Sequence, residues 1–194
     1  MLFNIPNILT MARIVAIPLF VVAYYLPYVW GNDAAAGLFI LAAVTDWLDG
    51  YLARRWNQTS PFGAFLDPVA DKLMVAAALI LLVADSRNQV ISLNPMLLNV
   101  VVIIILGREI TVSALREWMA ELGKRSSVAV SFMGKLKTTA QMTAIPVMLV
   151  GDLSWFGYPC FRTGEILLYI AGGLTFWSMM VYLKAAWPVL KGQG

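Results

Sequence analysis

An all-α integral membrane fold, with six transmembrane helices and a short N-terminal interfacial helix, is what this sequence predicts. Three observations point to it. The first is composition: hydrophobic residues fill 60% of the 194 positions and charged ones 13%, with a mean hydropathy of +0.76. A soluble domain could not cover so much apolar surface with so few polar groups. The second is pattern. Backbone in lipid must satisfy its own hydrogen bonds, as a helix or as a closed barrel. The period-two alternation of barrel strands is missing, and a stretch such as 76–84 is apolar on every side. The third is the placement of basic residues, taken up below.

A span needs about 20 mostly apolar residues. Six segments qualify, near 8–29, 34–54, 67–84, 96–117, 132–150 and 165–186, and together they read as one domain covering 1–194. The first follows Asn4-Ile-Pro-Asn-Ile-Leu-Thr10, where Pro6 and Asn7 can start a helix that lies in the interface before turning inward. The charged start and small-residue cleavage site of a signal peptide are missing there, so this segment is expected to be retained. Asn7, Thr10 and Arg13 recur every three residues and can present one polar stripe, either toward a functional site or toward the interface as anchors.

The second span ends in Thr45-Asp-Trp-Leu-Asp-Gly-Tyr-Leu-Ala-Arg54, which puts Asp46, Asp49, Gly50 and Ala53 on one helical face. The third opens on Gly63-Ala-Phe-Leu-Asp-Pro-Val-Ala-Asp-Lys72, with Asp67 and Asp71 one turn apart and Pro68 suited to a first turn. Two pairs of carboxylates then face each other across a helical hairpin. Any one of them could be an ordinary helix-end aspartate, but four together near a membrane repel one another unless they are protonated or hold cations. The chain contains no histidine, so its metal and acid–base chemistry falls to carboxylates. An all-oxygen donor set suits a hard ion, Mg²⁺ or Mn²⁺, and such ions join carboxylates to substrate phosphates. Two ions about 4 Å apart could polarise a phosphoryl group while one carboxylate takes a proton from an attacking hydroxyl. The small residues Gly50, Ala53 and Gly63 leave room beside that face.

The fourth span carries Arg108, where a lone charge is costly, and a bidentate guanidinium suits a phosphate. Arg116, two turns on, with Lys135 and Lys137 at the start of the fifth span, could close the same pocket. Pairing of Arg108 with Glu109 is the bland alternative, disfavoured because neighbours in a helix point apart. Lys124 and Arg125 read as topology signals and headgroup contacts. Trp30, Trp56 and Trp187 read as interfacial anchors, and the ten methionines as packing. The Asn57-Gln-Thr59 sequon falls in a loop expected to be cytoplasmic and carries no weight. The single cysteine, Cys160, excludes an internal disulfide.

Lysine and arginine gather on one side: Arg54 and Arg55, then Arg116, Lys124, Arg125, Lys135 and Lys137, with Lys191 in the tail. Arg87 and Arg162 are left for the other side. Both termini and both charged clusters are therefore expected on the cytoplasmic face. The formal charge of +3 is modest, and with no basic soluble face a nucleic-acid partner is excluded.

The arrangement D-x-x-D-G-x-x-A-R, eight residues, then G-x-x-x-D-x-x-x-D is filled by Asp46, Asp49, Gly50, Ala53, Arg54, Gly63, Asp67 and Asp71. It resembles the signature of the CDP-alcohol phosphotransferases. Asn4-Ile-Pro-Asn7, 62–72, Arg108-Glu109 and 114–130 are similar to the bacterial branch of that family that uses glycerol 3-phosphate. The resemblance implies a six-helix enzyme of the bacterial inner membrane, a homodimer among membrane lipids. Its substrates would be CDP-diacylglycerol and sn-glycerol 3-phosphate, and its products phosphatidylglycerophosphate and CMP, on the route to phosphatidylglycerol and cardiolipin. Asp46, Asp49 and Asp67 would bind two metal ions, with Asp71 completing the site and acting as base. Gly50, Ala53 and Arg54, with Gly63 beside them, would face the CDP-diacylglycerol, and Arg108, Arg116, Lys135 and Lys137 the glycerol phosphate. Other acceptors, such as serine or inositol phosphate, are the nearest rivals; a divalent-cation transporter or a silent scaffold are more distant ones.

Overall fold

The computed structural model describes residues 5–28, 30–56, 61–122, 132–150 and 159–191, without the side chains at 53, 54 and 135 among others. The described residues form seven helices: α1 (Ile5–Tyr25), α2 (Gly31–Arg55), α3 (Pro61–Ala84), α4 (Ser86–Ile91), α5 (Pro95–Glu121), α6 (Phe132–Val150) and α7 (Cys160–Leu190). Four of them, α1, α2, α5 and α7, are long and apolar enough to cross a membrane by length and composition. α3 carries Asp67, Asp71 and Lys72, and α6 carries Lys135 and Lys137, which dilutes their apolar character.

The order of elements follows the sequence reading, with three differences. α1 runs unbroken from Ile5, and no separate short helix precedes it among the described residues. α3 begins at Pro61, six residues before the expected start. Pro61 occupies the first-turn position that sequence reasoning gave to Pro68, and Pro68 lies inside the helix, where it has no N–H to give to the carbonyl four residues back. Asp67 and Asp71 are consequently interior residues of α3. The short α4 was not expected: it is polar, and Asp85 caps it by accepting the Arg87 N–H at 2.8 Å.

Helices α1, α2 and α3 pack on one another, and α7 joins α6 to α5. Phe20 and Phe39 meet between α1 and α2 at 6.4 Å, in a core that also buries Leu79, Leu98, Ile105, Ile145 and Phe161. Where α6 meets α7, a Cβ on Gly164 would stand 2.5 Å from Met148 Cγ and 2.9 Å from the Ala144 carbonyl, so only glycine permits this approach. The outward faces are greasy: Val15, Leu19, Val22, Ile103, Ile110, Ile166 and Trp177 are all exposed. A water-soluble chain would bury such residues; lipid solvates them. Trp30, Trp56 and Trp187 lie exposed near helix ends.

Candidate functional site

Helix packing brings together, at one end of the bundle, the start of α1, the end of α2, the starts of α3 and α6, and the second halves of α5 and α7. The polar stripe of α1 points into this end. Asn7, Thr10 and Arg13 are buried to within 2% of full enclosure, which favours the site-facing reading of the stripe over interfacial anchoring.

Arg13 stands at the centre of the carboxylates. Its Nη1 donates to Asp46 Oδ1 and to Asp71 Oδ1, each at 2.7 Å, and its Nη2 donates to Asp49 Oδ2 at 2.5 Å. Thr10 Oγ1 donates to Asp67 Oδ1 at 2.7 Å and approaches Asp49 Oδ2 at 3.4 Å. The four predicted aspartates do converge, from α2 and α3, around two side chains of α1. Asp49 is buried, while the side chains of Asp46 and Asp71 are 38% and 45% exposed. Four carboxylates face one guanidinium, so the cluster holds three formal negative charges in excess.

That excess and the donor chemistry decide whether a metal fits. The set is all oxygen, comes with no histidine in the chain, and carries more charge than Arg13 neutralises, which suits a hard divalent ion. Among the described residues no group of three or more acidic, histidine or cysteine side chains is arranged around a common ion position. Arg13 engages three of the four carboxylates itself.

Asp46 and Asp71 also line a cavity of about 340 Å³ together with the cations Lys72, Arg108, Arg116 and Lys137. Arg108 is buried; its Nη1 donates to Glu109 Oε1 at 3.2 Å and its Nη2 to Ser178 Oγ at 3.2 Å. The disfavoured pairing of Arg108 with Glu109 thus forms, because the long guanidinium stem curls back to a carboxylate that Lys137 of α6 also reaches. Arg116 Nη2 donates to the Tyr182 hydroxyl at 2.9 Å, and the Tyr182 ring lies under both guanidinium groups, 5.7 Å from that of Arg108 and 5.3 Å from that of Arg116. Lys72 donates to Ser113 of α5. The buried Nε of Arg108 and of Arg116 has no hydrogen-bond partner among the described residues.

Of the residues expected to hold the acceptor, Arg108, Arg116 and Lys137 line this cavity. Lys135, like Ala53 and Arg54 of the motif, has its side chain outside the described residues, and Lys124, Arg125 and Asn57 to Thr59 lie outside them altogether. Gly50 and Gly63 sit on α2 and α3 beside the carboxylates, Gly63 buried. Sequence reasoning missed Lys72, Glu109, Gln141 and Tyr182 as parts of the wall. Two signals were available. Lys72 directly follows Asp71, and Thr175, Ser178 and Tyr182 mark a buried polar stripe on an otherwise apolar α7.

Residues 3–177 match the model of the CDP-alcohol phosphatidyltransferases. The chain belongs to that family. Among its relatives are the proteins named CDP-diacylglycerol--glycerol-3-phosphate 3-phosphatidyltransferase of Escherichia coli strain K12, Escherichia coli O157:H7 and Shigella flexneri serotype 5b. Each is 52% identical over 186 residues, which is 96% of this chain and 96% of the relative. CDP-alcohol phosphatidyltransferases generally depend on a divalent metal ion, which agrees with the charge excess of the carboxylate cluster.

Proposed function

We propose that this chain transfers the phosphatidyl group of CDP-diacylglycerol to sn-glycerol 3-phosphate, releasing CMP and forming phosphatidylglycerophosphate. The observation that carries this reading is a cavity lined both by carboxylates, Asp46 and Asp71, and by the cations Lys72, Arg108, Arg116 and Lys137. An acceptor with a phosphate at one end and a hydroxyl at the other can engage both kinds of group at once. Arg108, Arg116 and Lys137, joined by Lys135, hold the phosphate, and the hydroxyl is presented to Asp71. Asp71 takes the hydroxyl proton as the oxygen attacks the phosphorus esterified to diacylglycerol. The bond from that phosphorus to the bridging oxygen breaks, and CMP leaves with its electron pair.

Asp46, Asp49, Asp67 and Asp71 are the residues that would hold Mg²⁺ or Mn²⁺. Bound there, two such ions supply charge stabilisation for the diphosphate and the leaving oxygen. Gly50, Ala53, Arg54 and Gly63 face the donor. Asn7 and Thr10 of α1 support the carboxylates, Thr10 by donating to Asp67.

All six long helices cross the bilayer in this reading. At 1.5 Å per residue α3 and α6 extend about 36 Å and 28 Å, close to the roughly 30 Å hydrocarbon core. The excess of lysine and arginine at the site end supports an orientation with that end and both termini in the cytoplasm, in a bacterial inner membrane. The exposed apolar faces serve a homodimer and the surrounding lipids.

The test is CMP release from CDP-diacylglycerol by purified protein with Mg²⁺, comparing glycerol 3-phosphate with serine, inositol phosphate and no acceptor. Release that requires glycerol 3-phosphate supports the reading. Release with serine instead reassigns the acceptor, and divalent-cation flux into liposomes without CMP release replaces the enzyme by a transporter.

A further inference from the structure

We infer that Arg13 is the internal counter-cation of the carboxylate cluster, a positioning residue that divalent metal must displace to bind. This rests on the proposal that the four aspartates hold the metal. Arg13 is 1% exposed in its side chain, and it engages Asp46 Oδ1, Asp49 Oδ2 and Asp71 Oδ1 at 2.5 to 2.7 Å, one oxygen of each of three of the carboxylates proposed as ligands. A guanidinium seated among these carboxylates repels a second cation brought to them and neutralises the charge that would attract it, so the two compete.

The arrangement also gives Arg13 a use. Without a cation, four carboxylates from α2 and α3 would repel and part the two helices. Nη1, shared between Asp46 of α2 and Asp71 of α3, bridges them and keeps the ligands at close quarters. Entry is available, because Asp46 and Asp71 are the exposed members and border the cavity, while Asp49 lies behind them. The buried Nε of Arg13 has no partner among the described residues, so those residues leave one donor of the guanidinium unsatisfied. The fourth carboxylate, Asp67, is held by the neutral hydroxyl of Thr10 instead. Arg13 therefore assembles the site and sets its metal affinity below what four carboxylates alone would give.

The experiment measures Mn²⁺ binding to purified protein in detergent by electron paramagnetic resonance of the free ion, with no substrate, alongside thermal unfolding in chelator and in saturating Mn²⁺. Arg13→Gln is expected to lower the Kd for Mn²⁺ about tenfold, an interaction change of ~1.4 kcal/mol. The same variant melts at a lower temperature than wild type in chelator and gains more from Mn²⁺. Arg13→Lys keeps one charge but cannot reach three carboxylates as a fork, and it falls between the two. A side chain that merely packed would weaken metal binding when removed. A Kd in Arg13→Gln equal to or above that of wild type, with cooperative unfolding retained, overturns the inference; if that variant does not fold, the same result in Arg13→Lys does so. Absence of Mn²⁺ binding in wild type and variants alike overturns the metal assignment itself.

Discussion

The two ends of the bundle treat their carboxylates differently. At the far end Glu165 is fully buried yet satisfied: it accepts from Ser92 Oγ at 2.5 Å, from the Leu93 N–H at 2.9 Å and from the Tyr169 hydroxyl. Asp85, beside it in the fold, accepts from Arg87 and from the Tyr24 hydroxyl at 3.0 Å, and Asn88 donates to that same hydroxyl. Each acid there is matched by donors from its neighbours, and the result ties α4 and the start of α5 to α1 and α7. At the site end three aspartates share Arg13 while Asp67 accepts from Thr10, and of the four cations that line the cavity two, Arg108 and Lys137, share Glu109. The far end surrounds each acid with donors, whereas the site end separates acidic from basic groups. Separated charge is costly to hold in a membrane protein, and under the proposed function a charged substrate and metal ions would complete it.

The largest effects should therefore come from the site end. Removal of divalent ions by a chelator abolishes CMP release, and Mg²⁺ or Mn²⁺ restores it, with helicity by circular dichroism unchanged throughout. Asp71→Asn lowers turnover by about 10² to 10⁴, the range of a general base, while the melting temperature stays within a few degrees of wild type. Arg108→Gln raises KM for glycerol 3-phosphate about tenfold or more, the worth of a hydrogen bond to a charged group, and leaves KM for CDP-diacylglycerol nearly unchanged. An equal rise in both would show that the basic lining does not serve the acceptor alone.

The far end should respond in stability and not in turnover. Glu165→Leu strands Ser92, Leu93 and Tyr169 donors and destabilises by about 1–3 kcal/mol in a chemical unfolding titration, with turnover per folded molecule retained. Asp85 gives the smallest effect. Burial pushes its carboxyl up, but the hydrogen bonds from Arg87 and Tyr24 outweigh burial and hold it below its ordinary value. Its stabilisation is present above the ordinary carboxylate range and is lost as pH falls through the lowered value. Asp85→Asn should flatten that acid limb of the stability profile, and an unchanged limb would remove Asp85 from the account.

The sequence made this contrast only half visible. Long apolar runs and helical spacing marked the helices and the four aspartates, because both depend on local periodicity. The start of α3 was misplaced because Pro68 looked like a first-turn proline, although Pro61 filled that role earlier. The polar stripe of α1 was legible, but its bonds to Asp46, 33 residues away, and to Asp71, 58 away, come from helix packing. The same holds for Tyr182, which meets Arg116 across 66 residues. Glu109 shows the limit of a local rule: neighbours on a helix do point apart, yet a long arginine and a lysine from α6 meet on its carboxylate.

The measurement that bears most directly on the central claim follows labelled glycerol 3-phosphate into organic-extractable lipid, with purified protein, CDP-diacylglycerol and Mg²⁺, beside CMP release in the same tube. One label in lipid for each CMP released by wild type, with both falling by about 100-fold or more in Asp71→Asn, is the predicted result. CMP release without label in lipid, or an Asp71→Asn protein that transfers as well as wild type, would contradict it.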